Sequence, residues 1–131
     1  MLKSIYIKNY RNIREVNSEI GELCNLIIAP NANGKTNFLE TIYYSVLGGS
    51  FRASQNFGEM IGPFGDFAKV IINWDNNKVE LVIANEKGQI KRKLLMNEKK
   101  YPIGMVAFEL PVILFAPHSV DLVSGEPVLR R

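Results

Sequence analysis

Lys35 and Thr36 are the side chains whose place in the sequence most directly implies chemistry. They close the run Leu26-Ile27-Ile28-Ala29-Pro30-Asn31-Ala32-Asn33-Gly34-Lys35-Thr36-Asn37, where aliphatic residues give way to small and polar ones. A strand, a small-residue loop and a helix opened by Gly-Lys-Thr form the order that a phosphate-binding loop requires. At a helix N-terminus the backbone N–H groups point at an anion, and the dipole favours negative charge. In such a loop Lys35 reaches the β- and γ-phosphates of a nucleotide as a point charge. The Thr36 hydroxyl then supplies one oxygen to Mg²⁺. Asn33 and Gly34 offer N–H groups to phosphate. The usual first glycine of the pattern is Ala29 here. Pro30 makes this tolerable, because a residue before proline is held extended and needs no positive φ.

These residues need a scaffold, and the apolar pattern predicts one. Residues 2–8 and 15–20 alternate as strands, and residues 23–28 read as a buried strand feeding the loop. From Lys35 the apolar residues Phe38, Ile42, Tyr43, Val46 and Leu47 recur at helical spacing until Gly48-Gly49, so the buried face of this helix reads as core. A turn near Glu59-Met60-Ile61 precedes three strands over residues 66–74, 78–84 and 89–96. The short turns Asp75-Asn76-Asn77 and Glu86-Lys87-Gly88 join them as an antiparallel meander. Residues 103–108 and 112–115 are further apolar segments, and residues 117–124 form a short helix or loop. The fold class is α/β, with a mixed sheet, one loop-bearing helix and a β-rich lobe.

Composition narrows the class without deciding it. The chain has 131 residues, 47% hydrophobic and 22% charged, the length of one ordinary domain. No window resembles a membrane span, and the charged, alternating N-terminus is unlike a signal core, which implies cytoplasmic residence. The single cysteine, Cys24, lies between Leu23 and Leu26 and reads as a buried strand residue. His118 lacks Cys, Asp or Glu partners at ligand spacing, which argues against a metal role. The net charge is +3, and Lys87, Lys91, Arg92, Lys93, Lys99 and Lys100 concentrate it within fourteen positions. Such a cluster suits a phosphate backbone, contacted without reading sequence, or simply a solvated hairpin face.

The residues also resemble a known family. Asn31-Ala32-x-Gly34-Lys35-Thr36-Asn37-x-Leu39-Glu40-x-Ile42-Tyr43 resembles the loop and first helix of RecF, bacterial DNA-repair ATPases related to the SMC group. Lys8-Asn9-Tyr10-Arg11-Asn12 is similar to that group's N-terminal element, and Gly49-Ser50-Phe51-Arg52 to the segment after the helix. Phe115-x-Pro117, then Leu122-Val123-x-Gly125-x-Pro127-x-x-Arg130-Arg131, resembles a RecF signature. The likeness runs from end to end, with departures at Ala29, His118, Ser119 and Glu126.

The resemblance implies the N-terminal lobe of an ABC-type ATPase head, with residues 1–131 as one portion of it. ATP and Mg²⁺ are the implied ligands. Pro30, Asn31, Ala32, Asn33, Gly34, Lys35, Thr36 and Asn37 would bind the nucleotide, with Arg11 and Asn12 nearby and Thr36 on the metal. No catalytic residue is assigned. The arm, the ABC signature and the Walker B acids have no counterpart here: residues 112–115 run into Ala116-Pro117 rather than acids. Efficient hydrolysis by this portion alone is therefore not expected, since phosphoryl transfer needs a metal-holding acid and a positioned water. The full-length family implies single-stranded, gapped or junction DNA as a partner, RecO and RecR beside it, and ATP-dependent homodimers.

Two readings from other classes stand beside this one. A nucleotide-insensitive DNA- or partner-binding module would retain a decayed loop, consistent with Ala29. A small P-loop kinase fits less well, because no Arg-rich lid or acceptor-site carboxylate follows the helix.

Overall fold

The computed structural model describes residues 1–52 and 56–115. Strands β1 (Leu2–Tyr10), β2 (Ile13–Glu19), β3 (Phe67–Trp74), β4 (Asn77–Glu86), β5 (Gln89–Met96) and β6 (Lys99–Lys100) build one sheet in the order β2-β1-β3-β4-β5-β6. Helix α1 (Lys35–Leu47) lies on one face, with short 3-10 turns over Phe57–Met60 and Met105–Phe108.

Period-two patterning puts one row of each strand into the core. Ile7 pairs with Val70, Val70 with Leu81, and Leu81 with Leu94, so a continuous aliphatic row crosses four strands. Ile5, Ile72 and Val79 form the next row. All seven are at most 1% exposed, and Tyr44, Val46, Met60 and Val106 close the core over them. The opposite sheet face stays polar and half-exposed, as an antiparallel sheet permits.

Helix α1 ends where a glycine is obligatory. Gly48 has φ +74, and a Cβ there would stand 2.7 Å from both the Gly104 nitrogen and Ile103 Cγ2. Its N–H donates to the Tyr44 carbonyl and closes the last turn. The buried residues of α1 are Glu40, Thr41, Tyr44, Ser45 and Val46. The expected face was displaced: of Phe38, Ile42, Tyr43, Val46 and Leu47, only Val46 is fully buried. The buried side is set by the sheet and by a charged contact at Glu40, which apolar spacing does not register.

Several expectations are corrected. Residues 23–28 are not a buried strand: Leu23, Leu26 and Ile28 are 101%, 82% and 82% exposed. Cys24 is likewise exposed. A strand apolar on both faces needs neighbours on both edges, and the described residues provide it with no ladder. For the same reason the mixed sheet is not seen among them; every described ladder is antiparallel. Residues 112–115 are also unpaired, with Ile113 and Phe115 exposed. Residues 117–124, with His118, lie outside the described residues. Among those described, no helix is long and apolar enough to cross a membrane.

Candidate functional site

The site is built where the β1–β2 turn meets the N-terminal half of α1. Asn9 and Arg11 both take left-handed backbone, with φ 50 and 49. Asn9 is 3% exposed and works as a clamp. Its Nδ2 donates to the carbonyls of Gly65 (3.0 Å) and Phe67 (2.8 Å), and its Oδ1 accepts from the Phe64 N–H at 2.9 Å. The Arg11 N–H donates to the Met60 carbonyl at 2.9 Å. These bonds fix the turn so that Arg11 and Asn12 project toward the helix and the loop.

Arg11 grips Glu40 as a fork, with Nε donating to Oε2 at 2.7 Å and Nη2 to Oε1 at 3.0 Å. The Glu40 side chain is fully buried. Ser50 Oγ donates to its Oε1, and Arg52 Nη1 stands 3.9 Å from its Oε2. Burial alone would raise the Glu40 carboxyl. Hydrogen bonds from Arg11 and Ser50, with the charges of Arg11 and Arg52, outweigh it and hold the group below its ordinary range. Burial likewise acts to lower the Arg11 guanidinium, but the bonds and charge of Glu40 raise it.

A chain of amides joins this cluster to the loop. Arg52 Nη2 donates to Asn37 Oδ1 at 2.6 Å, and Asn37 Nδ2 donates to Asn12 Oδ1 at 2.7 Å. Asn12 Nδ2 then donates to the Ala32 carbonyl at 2.6 Å. Ala32 and Gly34 are both left-handed, with φ 65 and 85, which turns successive N–H groups toward one concavity. Gly34 is also packed on its far side, where a Cβ would lie 3.0 Å from Asn12 Oδ1. Lys35 Nζ donates to the Pro30 carbonyl at 2.9 Å and to that of Ala29.

The result is an open cleft of about 450 Å³. Of the ten residues expected from the sequence, Arg11, Asn12, Asn31, Ala32, Gly34, Lys35, Thr36 and Asn37 line it. Pro30 contributes its carbonyl to Lys35, and Asn33 lies on the opposite side of the loop in a shallow apolar groove with Leu26, Ile28 and Phe38. Arg52 joins the lining. Sequence reasoning had placed Arg52 only within a family-like segment and had not singled out Glu40. Position 40 lies off the apolar face expected from spacing, so its burial carried no signal in the sequence.

Three cations, a helix N-terminus and a left-handed loop suit a polyphosphate. For Mg²⁺ the donor set is thinner. Thr36 presents an exposed hydroxyl, while Glu40 is engaged by Arg11 and Ser50. Among the described residues no three His, Cys, Asp or Glu side chains converge on a metal position. The ion would therefore take most of its ligands from phosphate and water, as Mg²⁺ commonly does.

The basic cluster divides. Arg92 points inward, donates from Nη1 to the Tyr44 hydroxyl at 2.9 Å, and stacks 3.7 Å above the Phe57 ring. It is a structural pin, and not a backbone-tracking arm, because position 92 pairs with Ile83 on the core face. Lys91 and Lys93 face outward, on the sheet side that also carries Lys8 and Lys69, which are directly paired across β1 and β3. Lys69 is bridged to Glu80 at 2.9 Å, and Lys91 to Glu86.

Comparison with known proteins agrees with this geometry. A family model described as an AAA domain matches residues 4–113. The chain is 36% identical over 134 residues to the DNA replication and repair protein RecF of Staphylococcus haemolyticus, covering 99% of this chain and 35% of that protein. It is 37% identical over 134 residues to the RecF of Ligilactobacillus salivarius, at 99% and 34% coverage. A solved structure of the recombination mediator protein RecF-ATP in the RecFOR pathway matches with TM-score 0.77 and 25% identity, over 99% of this chain and 36% of that one. The chain thus spans about a third of the length of the curated relatives it matches.

Proposed function

The chain belongs to the AAA domain family, and from that premise we propose that it is the ATP-binding part of a RecF-type DNA repair protein. The observation that carries this reading is the convergence of Lys35, Arg11 and Arg52 on one cleft at the N-terminus of α1. A solved structure similar to this chain is a RecF-ATP structure, which supports ATP as the nucleotide. In the bound state Lys35 would leave the loop carbonyls for the phosphates, and the Thr36 hydroxyl would join the Mg²⁺ shell. The ion would neutralise phosphate charge. Arg11 and Arg52 keep N–H groups beyond those engaged by Glu40 and Asn37, enough to donate to phosphate oxygens.

For the whole protein the reading extends to single-stranded, gapped or junction DNA, to RecO and RecR as partners, and to the cytoplasm. ATP would act as a dimerisation switch, stabilising the state in which a second copy completes the site. The outward lysines Lys8 and Lys93, beside Lys69 and Lys91 that are paired with Glu80 and Glu86, would offer charge to a phosphate backbone.

A second reading is a DNA- or partner-binding module indifferent to nucleotide. It is favoured by the engagement of Lys35 with the Ala29 and Pro30 carbonyls. Thermal unfolding with Mg-ATP separates the two. Ligand at a hundred times its Kd stabilises by about 2.7 kcal/mol, roughly a ten-degree rise in Tm at this size. The expected result is a rise in the wild type that Lys35→Ala abolishes. No rise in either protein would move the nucleotide-insensitive reading ahead.

A further inference from the structure

Glu40 is out of place by the ordinary rules of a helix core. It is a carboxylate at full burial on a 13-residue helix that otherwise packs Tyr44 and Val46 against a sheet. A buried ion pair is a poor source of stability, because desolvation offsets most of the Coulomb gain and an apolar replacement is often neutral or better. Packing therefore leaves the residue unexplained, and its partners suggest another use.

Those partners are two like charges approaching from opposite elements. Arg11 comes from the β1–β2 turn and Arg52 from the segment after α1, and both line the phosphate cleft. Glu40 Oε2 accepts from Arg11 Nε at 2.7 Å and faces Arg52 Nη1 at 3.9 Å. Asn37, one turn earlier on the same helical face, accepts from Arg52 Nη2 at 2.6 Å. Ser50 ties the segment that carries Arg52 to Glu40 and also accepts the Arg52 N–H at 3.0 Å. Without the carboxylate, two guanidinium groups would converge with nothing between them.

We propose that Glu40 is a positioning residue, which holds Arg11 and Arg52 together as a preorganised pair of arms for the anionic ligand of the adjoining loop. The inference rests on the nucleotide-binding reading. Glu40 touches no ligand itself; it sets where the two planar donor groups stand and offsets their repulsion before the ligand arrives. The ligand then replaces water at arms already in place, which lowers the ordering cost of binding.

Calorimetric titration of the full chain with Mg-ATP tests this, using Glu40→Gln, Arg52→Ala and the double variant. Wild type is expected to bind, and Glu40→Gln to bind about tenfold more weakly, the equivalent of one charge-assisted hydrogen bond. In the Arg52→Ala background the same change should cost less, because one of the two arms it positions is gone while Arg11 remains on the carboxylate. A merely structural Glu40 would give the same fold-loss in both backgrounds, and that result overturns the proposal. So does wild-type affinity in Glu40→Gln.

Arg11→Lys keeps the test open if Glu40→Gln fails to fold. It retains the charge but cannot fork onto the carboxylate. Weakening by severalfold supports positioning, and undiminished affinity overturns it. A wild type that binds no nucleotide refutes the site reading itself, a different outcome from a wild type that binds and a variant that binds equally well.

Discussion

The antiparallel sheet and the segment leading into the phosphate loop are both aliphatic, yet they end in opposite environments. Leu81 on β4 is 1% exposed, while Leu26, three residues before the loop, is 82% exposed. The difference lies in where each finds its partners. Strands β3, β4 and β5 pair with their immediate successors across short turns, so loop closure is cheap and every apolar row is covered. Residues 23–28 have no such neighbour among those described, and Leu26, Ile27 and Ile28 line an open groove with Ile13, Val16 and Phe38. The cleft is nonetheless formed. Its cations come from the β1–β2 turn, α1 and residues 50–52, with Lys35 resting on the Ala29 and Pro30 carbonyls.

The largest contrast is expected from truncating one leucine in each region. Leu81→Ala should destabilise by about 3 kcal/mol, through lost burial and the cavity left behind. Leu26→Ala should change stability by less than about 0.5 kcal/mol, as an exposed substitution does. Urea unfolding of the two variants measures this, and equal losses would break the comparison.

A smaller effect is expected at the pin between sheet and helix. Arg92→Ala removes the stacking on Phe57 and leaves the buried Tyr44 hydroxyl without its donor. A loss of about 2 kcal/mol is expected from those two contacts together. Substituting outward-facing Lys93 with Ala should leave the unfolding midpoint almost unchanged. If Lys93→Ala costs as much as Arg92→Ala, the division of the basic cluster into structural and solvent-facing members is wrong.

The smallest effect is a pH dependence. The Glu40 carboxyl is lowered from its ordinary value of 4.5 in the folded chain. Its ionised form is thus favoured by folding, and the unfolded chain takes up the proton first as pH falls. The contribution is fully present above pH 4.5 and disappears as pH drops through the folded value. Wild type should therefore lose more stability than Glu40→Gln on going from pH 6 to pH 3. Parallel losses would show that the Arg11–Glu40 contact carries no net preference for the charged state.

These contrasts also explain what the sequence disclosed. The meander was legible because alternation and turn residues sit next to each other in the chain. The helix stop at Gly48 was legible because glycine there has a steric cause. Eight of the ten expected site residues meet in one cleft because the loop motif and the Arg11-Asn12 turn are local patterns. Glu40 and Asn9 were not singled out, since each acts through contacts across the fold: Glu40 to residues 11, 50 and 52, and Asn9 to residues 64–67. Residues 23–28 were misread because an aliphatic run states that burial is wanted, not that a partner strand is at hand.

On the proposed reading, the turn, the helix and residues 50–52 assemble a phosphate site although the segment before the loop is unpaired. Amide hydrogen exchange of wild type and Lys35→Ala, with and without Mg-ATP, tests it most directly. Strong protection is expected in β1, β3 and β4, and little at residues 23–28 in the free chain. New protection is expected at residues 31–37 with Mg-ATP in the wild type alone. Unchanged exchange at residues 31–37, or strand-like protection of residues 23–28 in the free chain, would contradict it.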